Sequence, residues 1–322
     1  MAFWLSMSAR TKSGARSSMP MRGVCGATML WVMDILKSGA LGAPWASEGQ
    51  SLSLGAASDY PPGVTCYPFS LMAKDVRQVR TRIFTQGDAL CQSLATTIVE
   101  EARACQAAGG SYRLALTGGT TPRRLYTALA ARHDVPWGAL ELFWSDERAV
   151  ALDHADSNYR MVRETLLARD PVAADRLHPM VAASDPDDAD LEELAADYER
   201  VLRDATGADA PALDAVLLGL GPDGHIASLF PGEGERDRPD RLVVAVRDSP
   251  KPPPRRLTLT SAFINRSATV HLIVTGASKA DAVRGTLEGP HDPDRWPGQR
   301  LAPAHGTLTW WLDAAAASRL RQ

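Results

Sequence analysis

The sequence has no long apolar run, few cysteines and no excess of positive charge. No stretch reaches the roughly 18 uncharged apolar residues that a membrane-spanning helix requires. The four cysteines form neither a CxxC pair nor a zinc-like spacing with histidine, so we expect no metal and no disulfide-built fold. With 35 Lys and Arg against 38 Asp and Glu, the net charge of −3 argues against nucleic-acid and membrane partners. We expect a reducing, cytoplasmic setting.

Several catalytic motifs are also missing. The sequence contains no G-x-S-x-G segment, which disfavours a serine hydrolase with a nucleophile elbow. It contains no H-E-x-x-H segment, which would hold a catalytic zinc ion on one face of a helix. The chemistry must therefore be sought in other segments of the chain.

Charge is scarce at the start of the chain. Residues 1–71 hold five Lys or Arg, three Asp or Glu and eleven serines, about half the charge density of the whole chain. Hydrophobic periodicity there lasts only a few residues. We expect residues 1–72 to be a poorly ordered extension or a mis-assigned start, with the true start near Met72. A targeting segment is the alternative, because a Ser-rich, acid-poor composition is typical of transit peptides. Residues 73–322 would then form a single domain.

From Gln86 onward, helix and strand patterns alternate. Helical spacing of apolar residues predicts helices at 89–108, 122–132, 157–169, 188–206, 279–287 and 310–320. Short apolar runs predict strands at 113–116, 140–144, 213–220, 242–246, 256–260 and 269–274. Such alternation implies an α/β fold with a mostly parallel sheet covered on both faces. Ligand sites in these sheets lie at the carboxyl ends of strands, so three loops at strand ends are the candidates.

The first loop, TGGTTP at 117–122, follows a strand and opens a helix. Gly118 and Gly119 allow the backbone to approach a ligand closely. The hydroxyls of Thr120 and Thr121, together with the free N–H groups of the helix start, can form an anion cradle. The segment is not a Walker loop, because no Lys-Ser/Thr pair follows the glycines. A plain tight turn with a capping hydroxyl is the alternative.

The second loop carries three charges directly after an apolar strand. Asp146, Glu147 and Arg148 follow the strand at 140–144. Charges at such a position are unfavourable unless they pair or contact a ligand. A surface loop with a local Asp–Arg pair is the alternative. Further along this loop, Ser157 or Asn158 can cap the next helix without any functional role.

The third loop, GLGPDGH at 219–225, matches the G-x-G-x-x-G dinucleotide fingerprint only formally. Pro222 removes a backbone donor from the turn, and Pro231 interrupts the long helix that the fingerprint needs. His225 is the notable residue, since an imidazole with an ordinary pKa of about 6.5 suits general-base catalysis near neutrality. Asp223 lies near it in the chain. A structural histidine is the alternative.

Together the loops resemble the family of glucosamine-6-phosphate isomerases and 6-phosphogluconolactonases. The segments that carry the resemblance are 118–122 (GGTTP), 146–148 (DER) with 157–158 (SN), 219–231 (GLGPDGHIASLFP), 252–260 (PPPRRLTLT) and 276–280 (GASKA). The resemblance covers about residues 81–320, and the chain before Met72 has no counterpart in it. It implies a Rossmann-like three-layer α/β/α sandwich with a mostly parallel sheet, of the sugar-phosphate isomerase type.

The lactonase branch of this family implies hydrolysis of 6-phospho-D-glucono-1,5-lactone to 6-phospho-D-gluconate in the pentose phosphate pathway. The resemblance implies no metal and no organic cofactor. The implied partner is a small sugar phosphate lactone, and we expect a monomer. The residues that the resemblance assigns to phosphate and substrate binding are Gly118, Gly119, Thr120, Thr121, Arg256 and Lys279.

The resemblance also implies catalytic roles. His225 would take a proton from the attacking water, and Arg148 would orient the lactone or stabilise the developing oxyanion. Asp146 would bind sugar hydroxyls or fix Arg148. Asp223 and Gly224 would hold the turn that carries His225.

Two other functions stay open. Ile226 is the residue type of the deaminase branch, where the lactonases usually carry threonine. However, residues 227–231 (ASLFP) lack the glutamate of the deaminases, and Arg148 stands where the deaminase loop has tyrosine. The same fold also serves as the sensing domain of some transcription regulators. Such a regulator needs a basic helix-turn-helix, and residues 1–85 show no such pair of helices.

Overall fold

The computed structural model describes residues 4–10, 16–22, 78–168, 172–181, 189–206 and 211–321. The chain divides into two compact units, residues 1–66 and 67–322. In the first unit, strands β1 (Trp4–Arg10) and β2 (Arg16–Arg22) pair as an antiparallel hairpin. Most of the predicted extension, Met72 included, lies outside the described residues. In the described part of the chain, no helix has the length and apolar character to cross a membrane.

The second unit contains the predicted alternation of strands and helices. In chain order its elements are β3 (Gln78–Phe84), α1 (Gly87–Ala107), β4 (Tyr112–Leu116), α2 (Thr120–Ala130), β5 (Leu140–Trp144), β6 (Asp146–Arg148), α3 (Asn158–Thr165), α4 (Leu191–Thr206), β7 (Ala215–Gly219), β8 (Val243–Val246), β9 (Arg256–Leu259), α5 (Ser261–Ile264), β10 (Thr269–Val274), α6 (Ala280–Glu288) and β11 (Thr307–Asp313). Most predicted elements are confirmed, with ends that shift by a few residues.

The main sheet has six strands in the order β3-β11-β10-β7-β4-β5, and all of its neighbours are parallel. Four consecutive residues of β7, from Ala215 to Leu218, are buried, as are five of β10, from Val270 to Val274. Successive side chains of a strand point to opposite faces, so these strands are covered on both sides. The predicted α/β fold is confirmed.

Helix α1 shows how the sequence builds the core around this sheet. Leu90, Leu94 and Ile98 repeat every four residues and are at most 1% exposed. That spacing places them on one face of the helix. Burial of each such side chain stabilises the fold by about 1.5–3 kcal/mol. The helix ends before Gly109, whose φ of 78° is a left-handed conformation that glycine adopts without strain.

The strand order creates a crevice at the carboxyl ends of β4 and β7. From β4 the chain passes through α2 to β5, on one side of β4. From β7 it returns to the sheet at β10, on the opposite side of β7. The loops that leave these two neighbouring strands therefore run in opposite directions, which is the arrangement that opens a ligand crevice in such sheets.

A small antiparallel sheet, in the order β6-β9-β8, lies beside the main sheet. The predicted strands at 242–246 and 256–260 belong to this sheet and not to the parallel one. Ser145 joins the two sheets: its N–H donates to the carbonyl of Leu116 at 2.7 Å, and its carbonyl accepts from Leu259 at 2.8 Å. The chain thus crosses from one sheet to the other at a single residue, directly before the charged segment.

The predicted helix at 310–320 is wrong. The residues that begin it, Trp310, Trp311 and Leu312, belong to β11 and are at most 1% exposed. They lie between β10 and β3, where both faces of the strand are covered. Consecutive large apolar residues suit a strand buried on two faces, whereas a surface helix buries only one stripe. Trp311 also stacks on Phe84, with ring centroids 5.9 Å apart.

Candidate active site

A cavity of about 230 Å³ opens at the carboxyl ends of β4, β7 and β10. Its wall contains all three predicted loops, together with parts of the small sheet. The predicted site residues that line it are Gly118, Gly119, Thr120, Thr121, Asp146, Arg148, His225, Arg256 and Lys279. Asp223 and Gly224 stand behind His225, in the turn that carries it.

The first loop forms the start of α2. Gly119 precedes the helix with a φ of 113°, a conformation that favours glycine. The amides of Thr120 and Thr121, in the first turn, have no acceptor within the helix. The Thr121 hydroxyl lies 2.7 Å from that of Thr275, which follows β10. These donors converge where the helix dipole also favours an anion.

Lys279 adds a cation to this end of the cavity. It closes the short 3₁₀ turn Ala277–Lys279, directly before α6, and is half-buried. Burial lowers the pKa of Lys279, and the nearby ammonium of Lys251 lowers it further, while Asp223 opposes the shift. An anion would replace part of the lost solvation and favour the charged ammonium.

Gly118 brings the first loop against the second. A Cβ atom at this position would overlap the side chain of Asn158, the first residue of α3. The Asn158 amide donates to the carbonyl of Asp146 at 2.9 Å. Only a glycine lets Asn158 sit between the two loops and hold them together. The sequence pattern identified Asn158 as a possible helix cap and as part of a segment that carried the family resemblance, but gave it no contact with the first loop.

The charged segment of β6 follows strand alternation. Asp146 and Arg148 face the cavity, whereas Glu147 points the other way and is 1% exposed. The Glu147 carboxylate accepts the backbone N–H groups of Arg148, Asn158 and Tyr159, each at 2.8 Å. Burial raises the pKa of Glu147 to about 7, although these three hydrogen bonds oppose the shift. Glu147 thus anchors the second loop to α3.

Asp146 and Arg148 are held by different partners. Asp146 is buried and accepts a hydrogen bond from the Ser228 hydroxyl at 2.8 Å. Arg148 donates through Nη1 to the carbonyl of Asp156 at 2.5 Å. Its Nε is buried and has no acceptor among the described residues, and no ion pair joins Arg148 to Asp146 there. Arg148 therefore lines the cavity while its guanidinium also holds the loop at Asp156.

Arg256, predicted as a phosphate cation, directs most of its donors elsewhere. It is 4% exposed, and its Nε donates to the Pro253 carbonyl at 2.9 Å. Its Nη2 donates to the carbonyls of Lys251 at 2.8 Å and Pro252 at 3.1 Å. Only Nη1, 3.4 Å from the Ser228 hydroxyl, is left for the cavity. These contacts favour a role in holding the 251–253 turn.

His225 forms a close pair with Asp223. The imidazole Nδ1 lies 2.5 Å from the Asp223 carboxylate, and the ring packs against Phe230 with centroids 4.8 Å apart. This contact favours a proton on Nδ1, which leaves the lone pair of Nε2 available. Nε2 makes no hydrogen bond within the described residues. Gly221 is required here, because a Cβ atom on it would overlap the His225 ring.

The electrostatics keep this pair in the form that a base requires. Burial lowers the pKa of His225 below 6.5, and its attraction to Asp223 only partly reverses the shift. Burial opposes ionisation of Asp223, but His225 and Lys251 together hold the pKa of this carboxyl well below its usual range. At neutral pH the pair is therefore a neutral imidazole beside a carboxylate.

Trp296 supports the turn from behind. Gly224 has a φ of 87°, and a Cβ atom on it would lie 2.7 Å from the indole. A Cβ atom at Gly285 in α6 would overlap the other side of the same indole. The amide of Gly298 also donates to the Gly224 carbonyl at 3.2 Å. Trp296 therefore fills the space between the His225 turn and α6.

Two further residues near the cavity were missed from the sequence, and one was misinterpreted. Lys251 contacts both His225 and Asp223, and Thr275 contacts Thr121. Each stands one residue before a segment that carried the family resemblance, which was the available signal. Ile226 is fully buried in the core and does not line the cavity. Its type therefore says little about substrate choice.

Comparisons with known proteins agree with these loops. The family model described as glucosamine-6-phosphate isomerases/6-phosphogluconolactonase matches residues 85–310. A 6-phosphogluconolactonase of Mycobacterium tuberculosis is 41% identical over 241 residues, which are 74% of this chain and 97% of that protein. A probable 6-phosphogluconolactonase 2 of Oryza sativa subsp. japonica is 34% identical over 266 residues, 78% of this chain and 93% of the relative.

Solved structures give the same result. The 6-phosphogluconolactonase from Trypanosoma brucei matches with a TM-score of 0.67 and 29% identity, covering 76% of this chain and 100% of that one. The fold and the matched range agree. The chain belongs to the family of glucosamine-6-phosphate isomerases and 6-phosphogluconolactonases.

Proposed function

We propose that the chain hydrolyses 6-phospho-D-glucono-1,5-lactone to 6-phospho-D-gluconate, a step of the pentose phosphate pathway. One observation carries the proposal: the paired imidazole of His225 shares a cavity with a helix N-terminus and Lys279. The lactone presents the two matching groups, a phosphate dianion and an ester carbonyl. The names of the relatives support the same reaction.

The phosphate binds at the α2 end of the cavity. The amides and hydroxyls of Thr120 and Thr121 donate to its oxygens, and Lys279 balances its charge. Gly118 and Gly119 let the backbone come close enough for these contacts. Arg256 contributes Nη1 at most, because its other donors hold the 251–253 turn.

The reaction takes place at the His225 end. His225 Nε2 takes a proton from water as the water oxygen attacks the lactone carbonyl. Arg148 stabilises the oxyanion that forms, and Asp223 stabilises the imidazolium. The ring C–O bond then breaks, and the departing oxygen takes the proton from His225. The products are a carboxylic acid, which ionises, and a hydroxyl. Asp146 accepts hydrogen bonds from sugar hydroxyls.

The deaminase reaction is not favoured. No glutamate follows His225 in residues 227–231, where the deaminase motif supplies one. Arg148 occupies the position of the deaminase tyrosine and lines the cavity. Ile226, which pointed toward the deaminases, lies in the core.

The proposal extends to the setting of the enzyme. We infer that residues 73–322 are the catalytic domain, which is supported by a matched range of 85–310. We infer a monomer in the cytoplasm. We also infer that the chain has no nucleic-acid partner, and the net charge of −3 supports this last point. Size-exclusion chromatography with light scattering tests the monomer, and a duplex DNA retardation assay tests the last point.

The first experiment generates the lactone enzymatically and follows its hydrolysis through 6-phosphogluconate dehydrogenase and NADPH. We expect wild type to accelerate the reaction over a protein-free blank, and His225→Asn to lower kcat by about 10²–10⁴-fold. His133→Asn is the matched control, because His133 is exposed and does not line the cavity. Ammonia release from glucosamine 6-phosphate, without lactone hydrolysis, would replace this proposal with the deaminase.

A further inference from the structure

Lys251 occupies an unusual place behind the proposed base. Its ammonium nitrogen lies 3.0 Å from His225 Nδ1 and 3.2 Å from a carboxylate oxygen of Asp223. Lys251 does not line the cavity, so it meets the substrate only through these two residues. A cation is therefore placed against the ring nitrogen that faces away from the chemistry.

The chain fixes Lys251 in that place. Its carbonyl accepts from Arg256 Nη2 at 2.8 Å and from the Ser249 hydroxyl at 2.9 Å. Its amide donates to the same Ser249 hydroxyl at 3.2 Å. The buried guanidinium of Arg256 thus anchors Lys251, the residue that contacts the His225–Asp223 pair.

Two contacts compete for Nδ1 of His225. The Asp223 carboxylate, at 2.5 Å, accepts a proton from it, whereas the Lys251 ammonium, at 3.0 Å, donates to it only when it carries no proton. The shorter contact places the proton on Nδ1. Asp223 accepts from Nδ1–H of His225 through one oxygen and from Lys251 through the other. The opposite tautomer would leave Nδ1 and the carboxylate in contact without a proton between them. A proton on both ring nitrogens would place an imidazolium against the ammonium.

We propose that Lys251 is a positioning residue for His225: its ammonium holds the imidazole neutral, while Asp223 keeps the single proton on Nδ1. The inference rests on the proposed function for its catalytic meaning. The charged groups that face His225 are Asp223 from its own turn, Lys251 from the 251–253 turn and Asp146 from β6. Of these, only Lys251 disfavours a second proton on the ring, which agrees with the direction of the His225 pKa.

Two readouts test the inference. The first is an NMR titration of the His225 ring in wild type and Lys251→Met, with His225→Asn used to assign the signal. The second is the pH dependence of kcat/KM for lactone hydrolysis. We expect the removal of the ammonium to move the His225 titration and the acid limb upward together, by about one pH unit.

Two variants control for other effects. Lys251→Arg keeps the charge and should restore both readouts. Arg247→Met removes a cation that is 59% exposed and paired with Asp190, so neither readout should move. Lys251→Gln is the second variant if Lys251→Met does not fold, as judged by its circular dichroism.

The outcomes separate the two proposals. An unchanged His225 titration in Lys251→Met or Lys251→Gln would overturn the role of Lys251. A raised KM with an unchanged pH profile would also overturn it and would assign Lys251 to substrate contact. If wild type did not hydrolyse the lactone, the proposed function would fail, whereas the NMR titration would still decide whether Lys251 controls the His225 proton.

Discussion

The two sheets of the second unit reach the same cavity in different ways. Strands β7 and β10 contribute only at their carboxyl ends, through residues such as Gly219 and Val274. Strand β6 presents Asp146 and Arg148, and β9 presents Arg256, which stands opposite Arg148 in register. The parallel sheet thus contributes residues at the ends of its strands to the cavity, and the antiparallel sheet contributes side chains from one of its faces.

The two sheets bring different chemical groups to the cavity. Loops at the ends of the parallel strands contribute backbone N–H groups, glycine approaches and a helix start, together with the side chains of His225 and Lys279. The small sheet contributes only side chains, and alternation directs Asp146 and Arg148 of β6 to the same face. Glycine substitutions in the first region should act through backbone space, whereas substitutions in the second should act through functional groups.

Within the small sheet, the largest effect is expected at Arg148. Arg148→Lys should lower kcat by about 10²–10³-fold, because one ammonium cannot both bond the Asp156 carbonyl and stabilise the oxyanion. Steady-state kinetics measure it. Arg200→Lys is the control, since Arg200 is 70% exposed. A kcat within threefold of wild type would mean that the strand-end loops suffice for oxyanion stabilisation.

Glu147, which points inward from β6, should make the free energy of unfolding depend on pH. The pKa of Glu147 is raised to about 7 in the folded chain, so the native state binds the extra proton between pH 4.5 and 7. Its stabilising contribution is full below pH 4.5 and falls by about 3 kcal/mol as pH rises through 7. Urea unfolding of wild type and Glu147→Gln at several pH values measures the difference.

The control for this experiment is Glu164→Gln, because Glu164 is exposed in α3. The advantage of wild type over Glu147→Gln should shrink as pH rises. A constant difference between the two across this range would show that Glu147 does not titrate there, and that its carboxylate is charged throughout.

For the parallel sheet, a smaller loss is expected from a single methyl group. Gly118→Ala should lower kcat/KM by about 10²-fold, because its Cβ atom displaces Asn158 and separates the two loops. Gly138→Ala is the matched control, since no atom lies within 4 Å of its Cβ. Full activity in Gly118→Ala would mean that the loops tolerate separation, and the contrast between the sheets would weaken.

The smallest effect on catalysis is expected at Ile226. Ile226→Thr should cost about 1–3 kcal/mol of stability, because a hydroxyl enters the core, while the ratio of lactone to glucosamine 6-phosphate turnover stays unchanged. Urea unfolding and the two assays measure this. A shifted substrate ratio would show that the core beneath the His225 loop takes part in selection.

Much of this architecture follows from local sequence pattern. The four-residue spacing of α1 and the apolar runs of β7 and β10 predict their elements because burial repeats with the period of the structure. The prediction of a helix at 310–320 failed because it relied on the same periodicity. Periodicity cannot distinguish a short buried strand, such as the one that holds Trp310 and Trp311, from a buried helix.

The site was less predictable where it depends on pairing between distant segments. The three charged residues at 146–148 predicted a site. Only the pairing of β6 with β9 shows which of these side chains face the cavity and that Glu147 faces inward. Lys251 lies 26 positions after His225 in the chain. Its contact with His225 depends on the 251–253 turn, which Arg256 holds from the start of β9. No local pattern encodes such a contact.

Trp296 has a consequence for the choice of substrate. Its indole is wedged between Gly224, beside the base, and Gly285, in the helix that Lys279 precedes. Because the indole fills the space between the His225 turn and α6, it helps to set the separation between the proposed base and Lys279. We expect a sugar phosphate lactone with one carbon fewer between its phosphate and carbonyl to engage only one of these two residues.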